Sequence, residues 1–477
     1  MDSNLPSASR DTHGAATGIS KESSARDAHI NAPEAKAPSG QEGAPAGQKD
    51  SGHEERTGGA VPVTQAYRGK DEETGLGLYR GMISPWDKVV AYKETYNYLF
   101  RHRALMATGF MNVLRIVEPD DRKRYKALQD TFYEAMDQMF ADPGMMEFFR
   151  TRFNIPESEV AGAHLAAVFA DMGDEGNLMA GRVHEFSRDR VEKELDTCPF
   201  ALIGPDICAT SMGGTAFLKA LAAPDEIYDD LSERRGCGDT HCRVVIENKR
   251  KYGERQRPEE FWENFGPSAD PIHVTPKEEM KTECEHLTTG VYHSPYGAQF
   301  TTGELFTLMG AGGGDSSMYG SVEAIRVLRD VEPDEKRVAH LIDCVFEPCG
   351  KYAFGELAAV KGVRDWLGVP GTVDDSRVLG GYVSMIFQAR VLSWKFTEFE
   401  PDRTVIEVDK AKLTVDNYPE IALAYGALFN GMAKTLISAE WVARFEEVSD
   451  QTLQLVIERG YYGVKGAGIA GEGPAGL

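Results

Sequence analysis

The sequence predicts an α+β fold: a tandem duplication of one module, with helices first and a small sheet later, whose second copy is degenerate. Three observations predict it. Leu114-Arg-Ile-Val-Glu-Pro-Asp120 recurs as Leu328-Arg-Asp-Val-Glu-Pro-Asp334, and the same offset carries Pro156 onto Pro370. Later in each half, Glu185-Phe186 and Asp189-Arg190 find Glu398-Phe399 and Asp402-Arg403, and DTHCRVVIE (239–247) finds DQTLQLVIE (450–458). Matches in the same order at nearly constant spacing are the signature of an internal repeat. The third observation is periodicity, which is helical early in each half and alternating late.

The elements follow in order. Residues 1–66 contain no aromatic residue and are crowded with Ala, Gly, Ser, Pro and charge. Such a segment buries too little apolar surface to offset its ordering entropy, so it is expected to be disordered. Ser84-Pro85-Trp86-Asp87 reads as a helix start, with Ser as N-cap and Pro at the first helical position, opening a run to about Val117. Glu118-Pro119-Asp120-Asp121 breaks that run and opens a second helix, in which Tyr125, Leu128, Phe132 and Met136 recur at helical spacing; Glu332-Pro333-Asp334-Glu335 is the matching break. Val191, Leu195 and Val244–Ile246 read as strands, as do 404–408, 413–415 and 453–457. Residues 215–221 and 421–436 read as helices between them. The expected domains are a first copy over 67–250, a connector over 251–300, a second copy over 301–463 and a flexible tail over 464–477. Gly310-Ala-Gly-Gly-Gly314 lacks the following Lys-Ser/Thr of a phosphate loop and reads as a linker.

With 477 residues the chain is long enough for substantial cores, and its net charge is −23. So acidic a chain repels nucleic acid and anionic lipid, and no basic cluster overrides it; neither a nucleic acid nor a membrane is an expected partner. No apolar run approaches bilayer length and no secretory signal is evident, so the expected location is cytoplasmic. A small-molecule substrate or ligand is the expected partner, and a homo-oligomer stays open beside it.

The seven cysteines point to reduced thiols rather than a disulfide framework. Four of them fall in one stretch: Cys198-Pro199, Cys208, and Glu233-Arg-Arg-Gly-Cys237-Gly-Asp-Thr-His-Cys242. One reading makes Cys208, Glu233, Cys237 and Cys242 a zinc set, with Cys198 or His241 in reserve, because zinc takes soft thiolates with harder partners. Gly236 and Gly238 would let the backbone fold tightly around an ion. The metal-free reading makes Cys237 a nucleophilic thiolate with Asp239 or His241 as proton handler. On a strand, His241 and Cys242 face opposite sides, so Cys237 and His241 are the better placed pair. The plainer alternatives are inert buried thiols, an exposed turn histidine, and an aspartate that shapes its own turn.

In a gapless alignment Cys242 becomes Leu453, Cys237 becomes Val448, Glu233 becomes Arg444 and Asp239 keeps Asp450 as its counterpart. That leaves one competent site, in the first half. Elsewhere, Cys344 and Cys349 read as core packing, as do Met106, Met111, Met145 and Met146, and the seam residues Cys284, His286 and His293 read as hydrogen-bonded structure.

The stretch from Glu194 to Gly253 resembles the L-2-amino-thiazoline-4-carboxylic acid hydrolase family and the vinyl-4-reductase domain. Cys198-Pro199, Cys208 and Gly238-Asp239-Thr240-His241-Cys242 carry the likeness. The hydrolase resemblance implies opening of a sulfur-containing, amidine-like ring by attack on the carbon between N and S. The vinyl-4-reductase resemblance implies a small-molecule-binding module with zinc held by Cys208, Glu233, Cys237 and Cys242, although the gap between the last two cysteines is shorter here. No segment reads as a kinase, ATPase or DNA-binding output domain. The expected function is therefore a hydrolase-like enzyme on a small molecule, by ring-opening or C–N/C–S hydrolysis; the alternatives are a non-catalytic sensor and a zinc-stapled structural protein.

Overall fold

A helix that starts at Tyr92 lies at the centre of the structure, and elements from both halves of the chain pack on it. The computed structural model describes residues 67–70, 77–140, 143–156, 181–187, 189–195, 198, 201–212, 227–248, 291–293, 296–301, 318, 320–390, 392–415 and 417–460. The expectations for residues 1–66, for helix 215–221, for residues 251–290 of the connector, for Cys284 and His286, for the side chains of Met145 and Met146, for the glycine run over 310–314 and for the tail lie outside these residues.

Strands β1 (Tyr67–Lys70), β2 (Gly77–Ile83) and β3 (Val89–Ala91) form a small antiparallel sheet, followed by α1 (Tyr92–Val117), α2 (Asp121–Phe140) and α3 (Pro143–Arg152). Ser84 caps a turn and not a helix: its Oγ accepts from Trp86 N and Lys88 N, Asp87 adopts φ 56°, and β3 intervenes before α1 begins. The Glu-Pro-Asp break falls as expected. Glu118 accepts from Asp120 N and Asp120 from Lys123 N, just as Glu332 accepts from Asp334 N and Asp334 from Lys336 N and Arg337 N. Both breaks are aspartate N-caps, each satisfying amides that the new helix leaves open.

The second half runs α5 (Ser321–Val331), α6 (Glu335–Ala353), α7 (Leu357–Leu367), α8 (Ser376–Ala389), β10 (Trp394–Phe399), β11 (Arg403–Asp409), α9 (Pro419–Leu436), β12 (Trp441–Ser449) and β13 (Thr452–Arg459). The first half, after α3, shows β4 (Gly181–Phe186), β5 (Arg190–Leu195), α4 (205–212), β6 (Ile227–Glu233) and β7 (Cys242–Asn248). The hairpin of β8 (Val291–His293) and β9 (Gln299–Thr301) lies between the halves in sequence. Leu413, expected in a strand, ends a short helical turn, and Val415 beyond it takes φ 48°. A β-branched residue in the left-handed region cannot extend a strand.

The two four-stranded sheets have the same order and the same antiparallel senses, β4-β5-β7-β6 and β10-β11-β13-β12. Their registers agree as well. Gly181 faces Leu195 as Trp394 faces Val408, with a bulge between Val183 and Glu185 in one sheet and between Phe396 and Glu398 in the other. Arg190 faces Glu247 as Arg403 faces Glu458. The likeness reaches the ion pairs: Arg190 bonds Glu185 and Glu247, and Arg403 bonds Glu398 and Glu458.

One apolar core joins the halves. Leu105, Phe110 and Leu114 of α1 meet Ile325, Phe346, Tyr382 and Leu428 in it, so the helical layers are not separate bundles. Gly109 leaves room for the Phe346 ring, which also packs edge-on against Phe110 at 4.8 Å. His102 is fully buried, stacked on Tyr425 and Phe429, and burial beside the Arg390 charge lowers its pKa to about 3, so it stays neutral. Met106, Met111 and Cys349 sit in this core as expected, whereas Cys344 is exposed next to His340. Among the described residues no helix is long and apolar enough to cross a membrane.

Candidate functional site

Two short turns bring the cysteines together, each held by its own hydrogen bonds. On one side, Ala201 N donates to Cys198 O in the 3-10 turn Ala201–Ile203, and Gly204, at φ 87°, receives Ile207 N as α4 begins. Pro205 at the start of α4 has a φ suited to the helix and loses no amide bond there. Asp206 follows, fully buried, and its carboxylate takes Arg115 and Arg124 together. These charge-assisted bonds tie the start of α4 to α1 and α2. Cys208 is thereby fixed in the first turn of α4, buried.

On the other side, β6 ends at Glu233 and the 3-10 turn Arg235–Cys237 leads to Gly238 at φ 104°. That left-handed conformation suits glycine and closes the turn. Asp239 fastens it, accepting from Arg234 N at 2.6 Å while its own N–H goes to Arg234 O. The chain re-enters the sheet at Cys242, buried and opposite Leu195. Its Sγ accepts the Arg235 N–H at 3.4 Å.

The two turns touch at Gly236. A Cβ there would lie 2.5 Å from Cys208 Sγ and 2.8 Å from Gly204 O, so only glycine allows this approach. The Cys208 and Cys237 side chains are hydrogen-bonded to each other, and that bond is the largest influence on both thiols. It pushes Cys208 well up, burial adds to the rise, and the fields of Cys237, Cys242 and Cys198 add further. The same bond holds Cys237 below the ordinary thiol range against its partial burial; the Arg234 guanidinium helps and Asp239 opposes. Cys237 is thereby the more readily ionised member of the pair, and Cys208 the one that keeps its proton. Of the four thiols, Cys198, Cys208 and Cys242 are buried and Cys237 is partly open to solvent.

The other expected site residues lie elsewhere. His241 pairs through Nε2 with Glu233, its Nδ1 lies 3.0 Å from Thr240 Oγ1, and Glu233 also faces Arg243 at 4.0 Å. Glu233 and His241 thus occupy each other, and Asp239 serves the turn. Among the described residues, no group of three or more His, Cys, Asp or Glu side chains has an arrangement that could hold a metal ion. Arg234 was not singled out in the sequence. An Arg-Arg pair beside Gly-Cys-Gly could have flagged a cation next to the thiol.

Among the described residues, the second half offers no equivalent. Leu195 faces Cys242 as Val408 faces Leu453, so Leu453 does stand where Cys242 does. The other gapless matches fail. Leu231 faces Val244 as Phe445 faces Leu455, and Glu233 faces Arg243 as Glu446 faces Gln454, so the counterpart of Glu233 is Glu446 and not Arg444. Residues 234–241 separate β6 from β7, but only Asp450 and Gln451 separate β12 from β13. Cys237 and Asp239 therefore have no counterparts, because their turn exists only in the first half.

No protein-family model, curated protein or solved structure matches the chain.

Proposed function

We propose that the protein is a hydrolase-like enzyme acting on a small molecule, with the Cys237 thiolate as nucleophile, and that its second half is a degenerate copy serving as scaffold. The observation that carries this reading is the approach of the Cys237 turn to buried Cys208, with Cys237 partly open to solvent and held below the ordinary thiol range by Cys208 and the Arg234 cation. The thiolate is the reactive form of cysteine, and a neighbouring cation and hydrogen-bond donor favour it. Cys208, and not Asp239 or His241, is the proton-bearing group that touches Cys237.

For an amidine-like thiazoline ring, the resemblance suggests a step that these groups supply. Cys237 Sγ adds to the carbon between N and S. The ring C–S bond breaks with its electron pair on the ring sulfur, which takes the Cys208 proton. Water then displaces Cys237, leaving a urea and a free thiol, and a proton from that water restores Cys208. The whole chain incubated with L-2-amino-thiazoline-4-carboxylic acid should give a product heavier by one water, and Cys237→Ser should abolish it. Unchanged turnover in Cys237→Ser would refute the assignment.

A second reading is favoured by the Arg235 N–H bond to Cys242 Sγ, since backbone amides commonly support metal-bound thiolates. Zinc stapling the two turns in a non-catalytic small-molecule sensor or structural protein would require Cys208, Cys237, Cys242 and Cys198 to rearrange, because among the described residues no three such groups are arranged to hold a metal. Soft thiolate donors fit zinc chemically. Metal stoichiometry separates the readings: one firmly held zinc per chain, with unfolding in Cys242→Ala, favours the staple.

A further inference from the structure

We infer that Cys208 and Cys237 are a site of reversible oxidation, closing to a disulfide when a hydroperoxide reacts at Cys237. The inference goes beyond the hydrolase reading and uses the same two residues without requiring turnover. Three features of the structure carry it. Gly236, the residue before Cys237, lies directly against Cys208 Sγ, so little backbone movement is needed to join the two sulfurs. Their accessibility is unequal: Cys208 is buried and Cys237 is partly open, which orders the chemistry. Both turns are anchored independently, Cys208 through the Asp206 bonds to Arg115 and Arg124 and Cys237 through the Asp239 bond to Arg234 N, so the sulfurs are held as neighbours.

The steps balance. Cys237 Sγ⁻ attacks the distal oxygen of a hydroperoxide, the O–O bond breaks, and the alkoxide or hydroxide leaves, giving Cys237 sulfenic acid. Cys208 Sγ then attacks that sulfur. The S–OH bond breaks, the hydroxyl leaves as water with the Cys208 proton, and the S–S bond forms. Two thiols are oxidised and one peroxide is reduced to water and an alcohol, or to two waters from hydrogen peroxide. A thiol such as dithiothreitol reverses the link by exchange. In the disulfide neither sulfur can act as a nucleophile, so oxidation would shut the first-half site and leave the second half untouched.

Hydrogen peroxide on the full-length reduced protein, followed by intact mass and peptide mapping, tests this. The expected result is a loss of two hydrogens, a Cys208–Cys237 cross-linked peptide, iodoacetamide labelling of Cys237 reduced to background, and full reversal by dithiothreitol. In Cys208→Ser, dimedone should instead trap a sulfenic acid on Cys237, and Cys237→Ser should show neither product. Over-oxidation of Cys237 without a cross-link in the wild-type protein, a link to Cys198 or Cys242 instead, or no reaction at all would overturn the inference. The wild-type map stands even where a serine variant fails to fold. A cross-link without ring-opening activity refutes the hydrolase reading alone, and ring opening without a cross-link refutes this inference alone.

Discussion

The hairpin β6–β7 and the hairpin β12–β13 occupy the same place in sheets of the same order, and they differ mainly in what joins their strands. The first carries residues 234–241, a 3-10 turn with Cys237 and two glycines; the second closes with Asp450 and Gln451. The frame is common to both halves, and the clustered thiols sit where they diverge. A tight two-residue connection needs nothing beyond the strands it joins. A longer turn has to be paid for in ordering entropy, and here it reaches Cys208 on α4.

The same contrast appears one layer below, at the ion pairs that anchor the helices. Arg115 Nη2 bonds Asp206 and Ile203 O, and Arg329 Nη2 bonds Glu420 and Asn417 O, at matching positions of the two halves. The first pair is buried and shared with Arg124, whereas in the second Arg329 is 41% exposed. Removing one partner from a buried network leaves charges uncompensated; an exposed pair leaves little behind.

The largest expected effect follows from that difference. Asp206→Ala should cost about 3–5 kcal/mol in urea unfolding by stranding two buried guanidinium groups. Glu420→Ala should cost at most about 1 kcal/mol. Equal losses would erase the distinction between the halves.

Next in size are the residues at equivalent ladder positions, Cys242 and Leu453, both buried. Leu453→Ala should cost about 2–5 kcal/mol as a core cavity. Cys242→Ala removes only a sulfur and should cost about 1 kcal/mol, also by urea unfolding. A larger loss at Cys242 than at Leu453, reversed by no change in buffer except metal chelation of both proteins, would favour the zinc staple.

Gly236→Ala should cost about 1–3 kcal/mol, since the new methyl meets Cys208 Sγ and the Gly204 carbonyl at once. It should also separate the thiol pair, so that Cys237 alkylation moves to higher pH. Retained stability with unchanged alkylation would show that the turns do not touch as described.

The smallest effect concerns Glu323, buried at the start of α5, where burial raises its pKa from 4.5 to about 7 although Gly320 N donates to it. Its folded pKa lies above its unfolded value. The folded state thus binds the proton more tightly, and this contribution is fully present below about pH 4.5 and lost as pH rises through about 7. Glu323→Gln should flatten the stability profile across that window, measured by denaturation at stepped pH.

Much of the frame was legible in the sequence. The Glu-Pro-Asp breaks signalled two helix starts, which the structure caps with Asp120 and Asp334, and the alternation in 244–246 and 453–457 signalled strands whose registers agree. The gapless match of Cys237 to Val448 misled because sequence identity in the flanking strands says nothing about where a turn has been lengthened. The strand ladders locate it. Ser84 misled for a different reason: capping chemistry serves turns as well as helices, and β3 follows it. The approach of Cys208 to the Cys237 turn was expected because four cysteines fall in one stretch of sequence. The commitment of His241 to Glu233 was not, because strand alternation sets the face of a side chain and leaves its partner to cross-strand neighbours.

The claim on which the account depends is that Cys208 holds the Cys237 thiol below its ordinary range. Peptide-mapped iodoacetamide alkylation of the folded protein across pH measures it directly. The account predicts that Cys237 reacts first among the four clustered thiols, at a pH below that needed by the same peptide unfolded in urea, and that Cys208→Ala moves this reaction to higher pH. A Cys237 that reacts no earlier folded than unfolded would contradict it.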